Sequence, residues 1–339
     1  MSRICLYYRM PRETDRWFPF DRYVRPWIRR AIRGKPKMGG VDKVFSNLCL
    51  GLDRLGVSYV VNIPFHKLRA GDRIGVLGRG RECLVGYRWD YPIVAGIGLM
   101  THPTEWPDLC NQYPVTFYLQ HSDWANEVYK PFFGDRCRTW AVGIDTEAWR
   151  PSSIKPSHDF LIYDKVRWER ETRVPELLEP IQQELDRRGL TFETLRYGHY
   201  SEAQYRQALA RCRAMIFLCE HESQGLAYLE ALASGVPILA WDQGKMLDPC
   251  RFQWGQPDIN ATSVPFFDAR CGRKFVRMTD FGRELDLFLN ELSSKAYKPR
   301  DFVLENLTLE KCSQQFLDLL EQAAAQPTVK PVSKSLRAY

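Results

Sequence analysis

From Ser223 to Ala240 the chain reads Ser-Gln-Gly-Leu-Ala-Tyr-Leu-Glu-Ala-Leu-Ala-Ser-Gly-Val-Pro-Ile-Leu-Ala, with Glu230 as its one charged side chain. A stretch this apolar has to be buried, and its carboxylate must then find hydrogen-bond donors or neutralise. A ligand rich in hydroxyls would supply such donors. The alternative is an amphipathic helix with Glu230 at its rim.

The neighbouring pattern places that carboxylate. Ala214–Cys219 is a short apolar run that reads as a buried strand. Leu226, Leu229, Leu232 and Ala233 recur at helical spacing until Ser234-Gly235 and Pro237 stop the helix, and Ile238–Trp241 reads as a second buried strand. Strand, polar turn, helix, strand is the unit of a doubly wound sheet, where ligands bind beyond the carboxyl ends of the strands. Glu222 falls in the turn and Glu230 about two turns into the helix. Gly225 allows close backbone approach, and the first amides of the helix favour phosphate.

The same alternation recurs along the chain. Strands are expected at Ile4–Tyr8, Ser58–Ile63, Glu82–Val85, Ile93–Ala95 and Val115–Leu119, with a helix from Gly39-Gly40 to about Leu55. Pro151, Pro156 and their serines mark a linker. Beyond it come strand Phe160–Tyr163, helix Pro175–Arg188, strand Thr191–Tyr197 and helix Glu202–Arg211, and the chain closes on an amphipathic helix, Leu307–Ala325. A length of 339 residues suits two cores. The predicted division is a first domain over 1–150, a second over 151–310, a final helix over 307–325 and a disordered tail over 326–339.

The net charge of +7 is concentrated: residues 11–37 sum to +6 and the tail from Gln326 adds +3. Confined charge of this kind is not a nucleic-acid footprint, so no nucleic-acid partner is expected. Trp17, Phe18, Phe20, Tyr23 and Trp27 are threaded among the arginines of 11–37, which suits either an anionic membrane or a lipid-linked ligand, or a folded lid with solvated arginines. Ten scattered cysteines without a C-x-x-C pair argue for reduced thiols and against a zinc site. No run approaches membrane-spanning length and no signal-peptide pattern opens the chain, so a cytoplasmic protein is expected, with peripheral contact at the inner membrane face if 11–37 meets lipid.

The pattern E-x-x-G-x-x-x-x-E at 222–230, followed by Ala-Leu-Ala-Ser-Gly-Val-Pro, resembles the signature of retaining glycosyltransferases of the GT-B fold, family 4 and its relatives. Gly143-Ile-Asp-Thr-Glu147 is similar to that family's entry into its second domain, and Glu305-Asn-Leu-Thr308 to its final helix. The resemblance implies an α/β protein of two Rossmann-like domains facing across a cleft, 1–150 on the acceptor side and 151–310 binding the nucleotide sugar, with the C-terminal helix 307–325 crossing back to the first.

It also implies roles. Glu230 would bind the donor ribose, Glu222 the donor sugar near its anomeric carbon, and the amides of Gly225 and Leu226 the phosphates. Lys165 and Arg167 would neutralise the diphosphate, although their spacing departs from the family's pattern and a solvated helix start is the plainer alternative. Gly39 and Gly40 match a glycine pair that passes close to the donor phosphate, unless they form an ordinary turn. His121 resembles a histidine that contacts the transferred sugar, unless it is a core histidine.

The implied activity is transfer of a sugar from a nucleoside diphosphate donor to a hydroxyl of a glycan or lipid-linked acceptor, with retention, without a cofactor and without an essential metal. The alternatives are a sugar-nucleotide epimerase or hydrolase, and a non-catalytic glycan- or nucleotide-binding protein.

Overall fold

The computed structural model describes residues 2–9, 15, 19–21, 24–25 and 39–326. Most of the basic segment 11–37 and the tail beyond 326 lie outside the described residues, so the expectations for them are not addressed by it. Within that segment Asp21 and Arg25 are both buried and form an ion pair at 3.3 Å. Arg25 is thus a structural cation and not a surface one.

The chain forms two compact units. The first comprises the residues up to Leu119, Tyr129–Arg138 and the residues from Gln314; the second comprises Gln120–Val128 and Thr139–Ser313. In the first, β1 (Ile4–Tyr7) leads to helix α1 (Gly40–Arg54) and then to β2 (Tyr59–Val61), β3 (Arg73–Val76), β4 (Ile93–Gly96), β5 (Val115–Gln120) and β6 (Cys137–Thr139), while helix α2 (Asp123–Phe133), between β5 and β6, starts among the residues of the second unit and ends among those of the first. The sheet order is β2-β1-β3-β4-β5-β6, and the pairings from β2 to β5 are all parallel. Strands buried on both faces read as continuous apolar runs, which is why β1 and β5 were visible in the sequence.

The expected strand at Glu82–Val85 is instead a short helical turn, Arg81–Cys83, set between left-handed glycines Gly80 and Gly86. The strand is β3, some ten residues earlier. Its Gly75 lies under Phe316, whose ring would sit 2.8 Å from an added Cβ, so the missing side chain is supplied from the last helix.

In the second unit β7 (His158–Lys165) is followed by a helical stretch from Arg170 that ends in helix α3 (Glu179–Arg187). Then come β8 (Phe192–Arg196), α4 (Glu202–Arg211), β9 (Cys212–Cys219), α5 (Leu226–Ala233), β10 (Ile238–Trp241), β11 (Gly272–Phe275), α6 (Met278–Ser293), α7 (Pro299–Asn306) and α8 (Leu309–Ala325). The sheet order is β11-β10-β9-β7-β8, parallel throughout. One face packs Phe160, Ile162, Leu218 and Trp241 against Ile181 and Leu185 of α3 and Phe281, Leu285 and Phe288 of α6. The other packs Leu161, Tyr163, Phe217 and Ala240 against α4 and α5. Helix α8 starts in the second unit, and from Gln314 onward it belongs to the first, where Glu321 pairs with Arg73 at 2.8 Å. All ten cysteines are unbridged, and all but Cys49 and Cys250 are buried.

Candidate functional site

The connections that follow β7 and β9 leave the second sheet on opposite faces, because α3 belongs to one packed layer and α5 to the other. Neighbouring parallel strands whose connections diverge open a crevice at their carboxyl ends. Lys165 and Cys219, the last residues of β7 and β9, are register partners there.

The Lys165 ammonium forms an ion pair with the Glu222 carboxylate, their side chains 12% and 13% exposed. Burial alone would lower the lysine's pKa, but the Glu222 charge and hydrogen bond outweigh it and raise it above its ordinary value, so the ammonium stays charged. The Tyr197 ring stands 4.5 Å from the same nitrogen, and the Cys219 thiol lies 3.6 Å from the Glu222 Oε1.

Two buried carboxylates hold the loop that follows Lys165. Asp164, 2% exposed, takes a bidentate pair from Arg170 at 2.7 and 2.8 Å and accepts the Val166 amide at 3.1 Å. Glu220, 1% exposed, accepts the successive amides of Arg167 and Trp168 on one oxygen at 2.8 and 3.1 Å. Burial raises its pKa.

The turn after β9 is fixed by partners distant in sequence. The Trp124 indole donates to the Glu222 carbonyl at 2.9 Å, and the Glu222 amide donates to the Thr262 carbonyl at 3.0 Å. His221 lies between two indoles: Trp168 stacks on it at 5.2 Å and 4°, and Trp124 meets it edge-on at 5.7 Å. Burial lowers the His221 pKa to about 4, so the imidazole is neutral near pH 7. The Gln224 side-chain amide pairs with the Val142 backbone in both directions, at 2.5 and 3.0 Å.

Gly225 begins α5 at φ +81°, and an added Cβ would lie 2.2 Å from the Tyr228 ring, so glycine is required on two counts. Glu230 is 4% exposed within α5, and its charge acts on the Tyr200 and Tyr205 hydroxyls, whose pKa values rise chiefly through burial.

Of the residues singled out by sequence, Lys165, Glu222, Gly225 and Leu226 therefore converge on one turn, with Glu230 farther along the same helix. The Arg167 guanidinium lies 4.6 Å over the Trp168 ring. His121 is 5% exposed, its Nδ1 3.2 Å from the Trp140 carbonyl, and burial lowers its pKa to about 4. Gly39 and Gly40 open α1 in the first unit, where the Gly39 amide donates to Asp42 at 2.8 Å. Sequence reasoning did not single out Trp124, Trp168, Glu220 or His221. The run Glu220-His221-Glu222 directly after a buried strand was the available signal for two of them.

No family model and no curated protein matches the chain. Solved structures do. A glycosyltransferase from Rickettsia africae superposes with a TM-score of 0.52 at 10% identity, covering 96% of this chain and 100% of that one. Sucrose-phosphate synthase from Thermosynechococcus elongatus superposes with a TM-score of 0.52 at 10% identity, covering 95% and 99%. TarM of S. aureus, solved with fondaparinux, alpha-GlcNAc-glycerol and UDP, gives a TM-score of 0.53 at 11% identity over 82% of this chain and 58% of that one. The fold is GT-B. In the GT-B frame the second sheet is the one whose β7/β9 ends carry the Lys165–Glu222 pair.

Proposed function

We propose that the chain is a glycosyltransferase that moves a sugar from a nucleoside diphosphate donor to a hydroxyl of a glycan or lipid-linked acceptor, with retention and without an essential metal. The observation that carries this reading is the Lys165–Glu222 pair set at the diverging ends of β7 and β9, beside a glycine-started helix that buries Glu230. Donor binding is assigned to the second unit.

In this reading Glu230 accepts hydrogen bonds from the ribose hydroxyls, for which an ionised carboxylate is well suited. The first amides of α5 and the Lys165 ammonium neutralise the departing diphosphate, and fixed charge in a water-poor site is worth several kcal/mol there. Glu222 orients the donor sugar, and donor entry redistributes its bond to Lys165. His121, neutral and hydrogen-bonded, is assigned to contact with the transferred sugar. The structural neighbours support the reading, since TarM is described with UDP and sugar compounds, and sucrose-phosphate synthase is named for a sugar phosphate product.

The basic segment 11–37 is assigned to the acceptor or to the anionic surface that bears it. Replacing Arg29, Arg30 and Arg33 by Gln would then weaken binding to anionic liposomes, and unchanged binding would remove that assignment.

The deciding experiment is a thermal-shift and calorimetric screen with UDP, GDP, ADP and their sugars, because a ligand of the folded state raises stability by mass action. One of these should bind, and its sugar should be transferred to an added acceptor in the presence of EDTA. Absence of binding by all of them would overturn the reading.

A further inference from the structure

Glu220 occupies an unusual place for a carboxylate. It is 1% exposed, one oxygen receives two successive backbone amides, and the other has no hydrogen-bond partner. A side chain serving only stability would be better replaced by an apolar one, since a buried charge costs several kcal/mol to desolvate.

The two amides explain its presence. Arg167 and Trp168 follow the end of β7, where the chain turns before the left-handed residue Glu169 at φ +51° starts the helical stretch. Successive amides that point the same way form a concavity that holds an anion. The Glu220 carboxylate is that anion, supplied from the neighbouring strand end. It fixes the backbone on which Lys165 reaches Glu222, while Asp164 and Arg170 clamp the other side of the loop. The stack of Trp168 on His221 is fixed by the same bonds.

We infer that Glu220 is a positioning residue: its carboxylate holds the 165–168 backbone so that Lys165 and Arg167 meet the diphosphate of a bound nucleotide. The inference rests on the donor-site reading above. It assigns no contact between Glu220 and the ligand.

The test compares the full-length parent with Glu220→Leu, which fills the same space without an acceptor, and Glu220→Gln, which keeps one. Glu220→Met replaces Leu should that variant not fold, since its flexible thioether adapts to the same volume. Exchange of the Arg167 and Trp168 amides is read by hydrogen–deuterium exchange, and affinity for UDP, GDP and ADP by calorimetry. The apolar variant should melt no lower than the parent, yet exchange these two amides at least tenfold faster and bind the parent's preferred diphosphate about tenfold more weakly. The Gln variant should recover most of both. Unchanged exchange, or unchanged diphosphate affinity in a variant whose loop has loosened, overturns the inference and leaves the donor site standing. A parent that binds none of the three diphosphates overturns the donor-site reading, and this inference with it.

Discussion

Lys165 and Glu222, 57 positions apart, meet as an ion pair at the ends of adjacent parallel strands. Both side chains are nearly buried, and each supplies the other's counter-charge. Removing one partner leaves an uncompensated charge, at a typical cost of about 3 kcal/mol, whereas removing both loses less. Lys165→Met should therefore destabilise the protein more than Lys165→Met combined with Glu222→Gln. Urea denaturation of the two variants checks this, and equal or reversed losses would show that the pair is screened by solvent.

Glu230 and Glu222 are expected to separate in ligand binding. If Glu230 holds the ribose, Glu230→Ala should abolish nucleoside diphosphate binding. Glu222→Ala should reduce sugar transfer far more than affinity for the free diphosphate, which lacks the sugar. Calorimetry on both variants decides it, and an equal loss of diphosphate affinity would refute the division of roles.

Gly225→Ala should cost about 2 kcal/mol or more. A left-handed conformation is unfavourable for alanine, and the new methyl would drive into the Tyr228 ring. The same change at Gly189, also at positive φ but with open space around its Cβ, should cost only the conformational share. Equal losses of melting temperature at the two positions would show that the ring moves aside freely.

His121 and His221 make stability sensitive to acid. Burial depresses both pKa values to about 4, against about 6.5 for an unfolded histidine. The unfolded chain therefore binds more protons below pH 6.5. The neutral rings contribute in full above that value, and their contribution is lost as the pH falls toward 4. For the 5% exposed His121 the loss by pH 5 is about 2 kcal/mol. His121→Gln should flatten the fall in stability between pH 6.5 and 4, and an unchanged profile would assign the acid sensitivity elsewhere.

The sequence exposed the parts of this molecule that are locally determined. Strands β7, β9 and β10 are built on short runs of buried apolar side chains and α5 on apolar residues at helical spacing, so local pattern identified them. Glu230 stood out as a charge set in such a run, and Glu222 and Lys165 through the resemblance of their surroundings to the GT-B signature. Strand β3 was hidden by Arg73 and Gly75, whose partners Glu321 and Phe316 come from the last helix. Trp124 and Trp168 were hidden for a similar reason: an aromatic residue in a loop is uninformative until its partner is known, and Trp124 finds the Glu222 carbonyl 98 positions away. Glu220 read as one more polar loop residue, because its role is to receive amides from a segment 52 and 53 positions earlier.

The reciprocal bonds between Gln224 and Val142 span 82 positions, and the bonds of Trp124 and Lys165 to Glu222 span 98 and 57. Contacts that close such long loops form late on the path from the unfolded chain, because the entropy of closure is spent before they repay it. The turn from Glu220 to Gly225 should therefore be among the last parts of the second unit to set during refolding. Recovery of nucleotide binding would then lag behind recovery of helical circular dichroism, and simultaneous recovery in stopped-flow refolding would show that the turn is formed locally. By the same logic, a polypeptide released before Glu222 has been synthesised holds Lys165 without its counter-charge, and the site arises only as a late product of assembly.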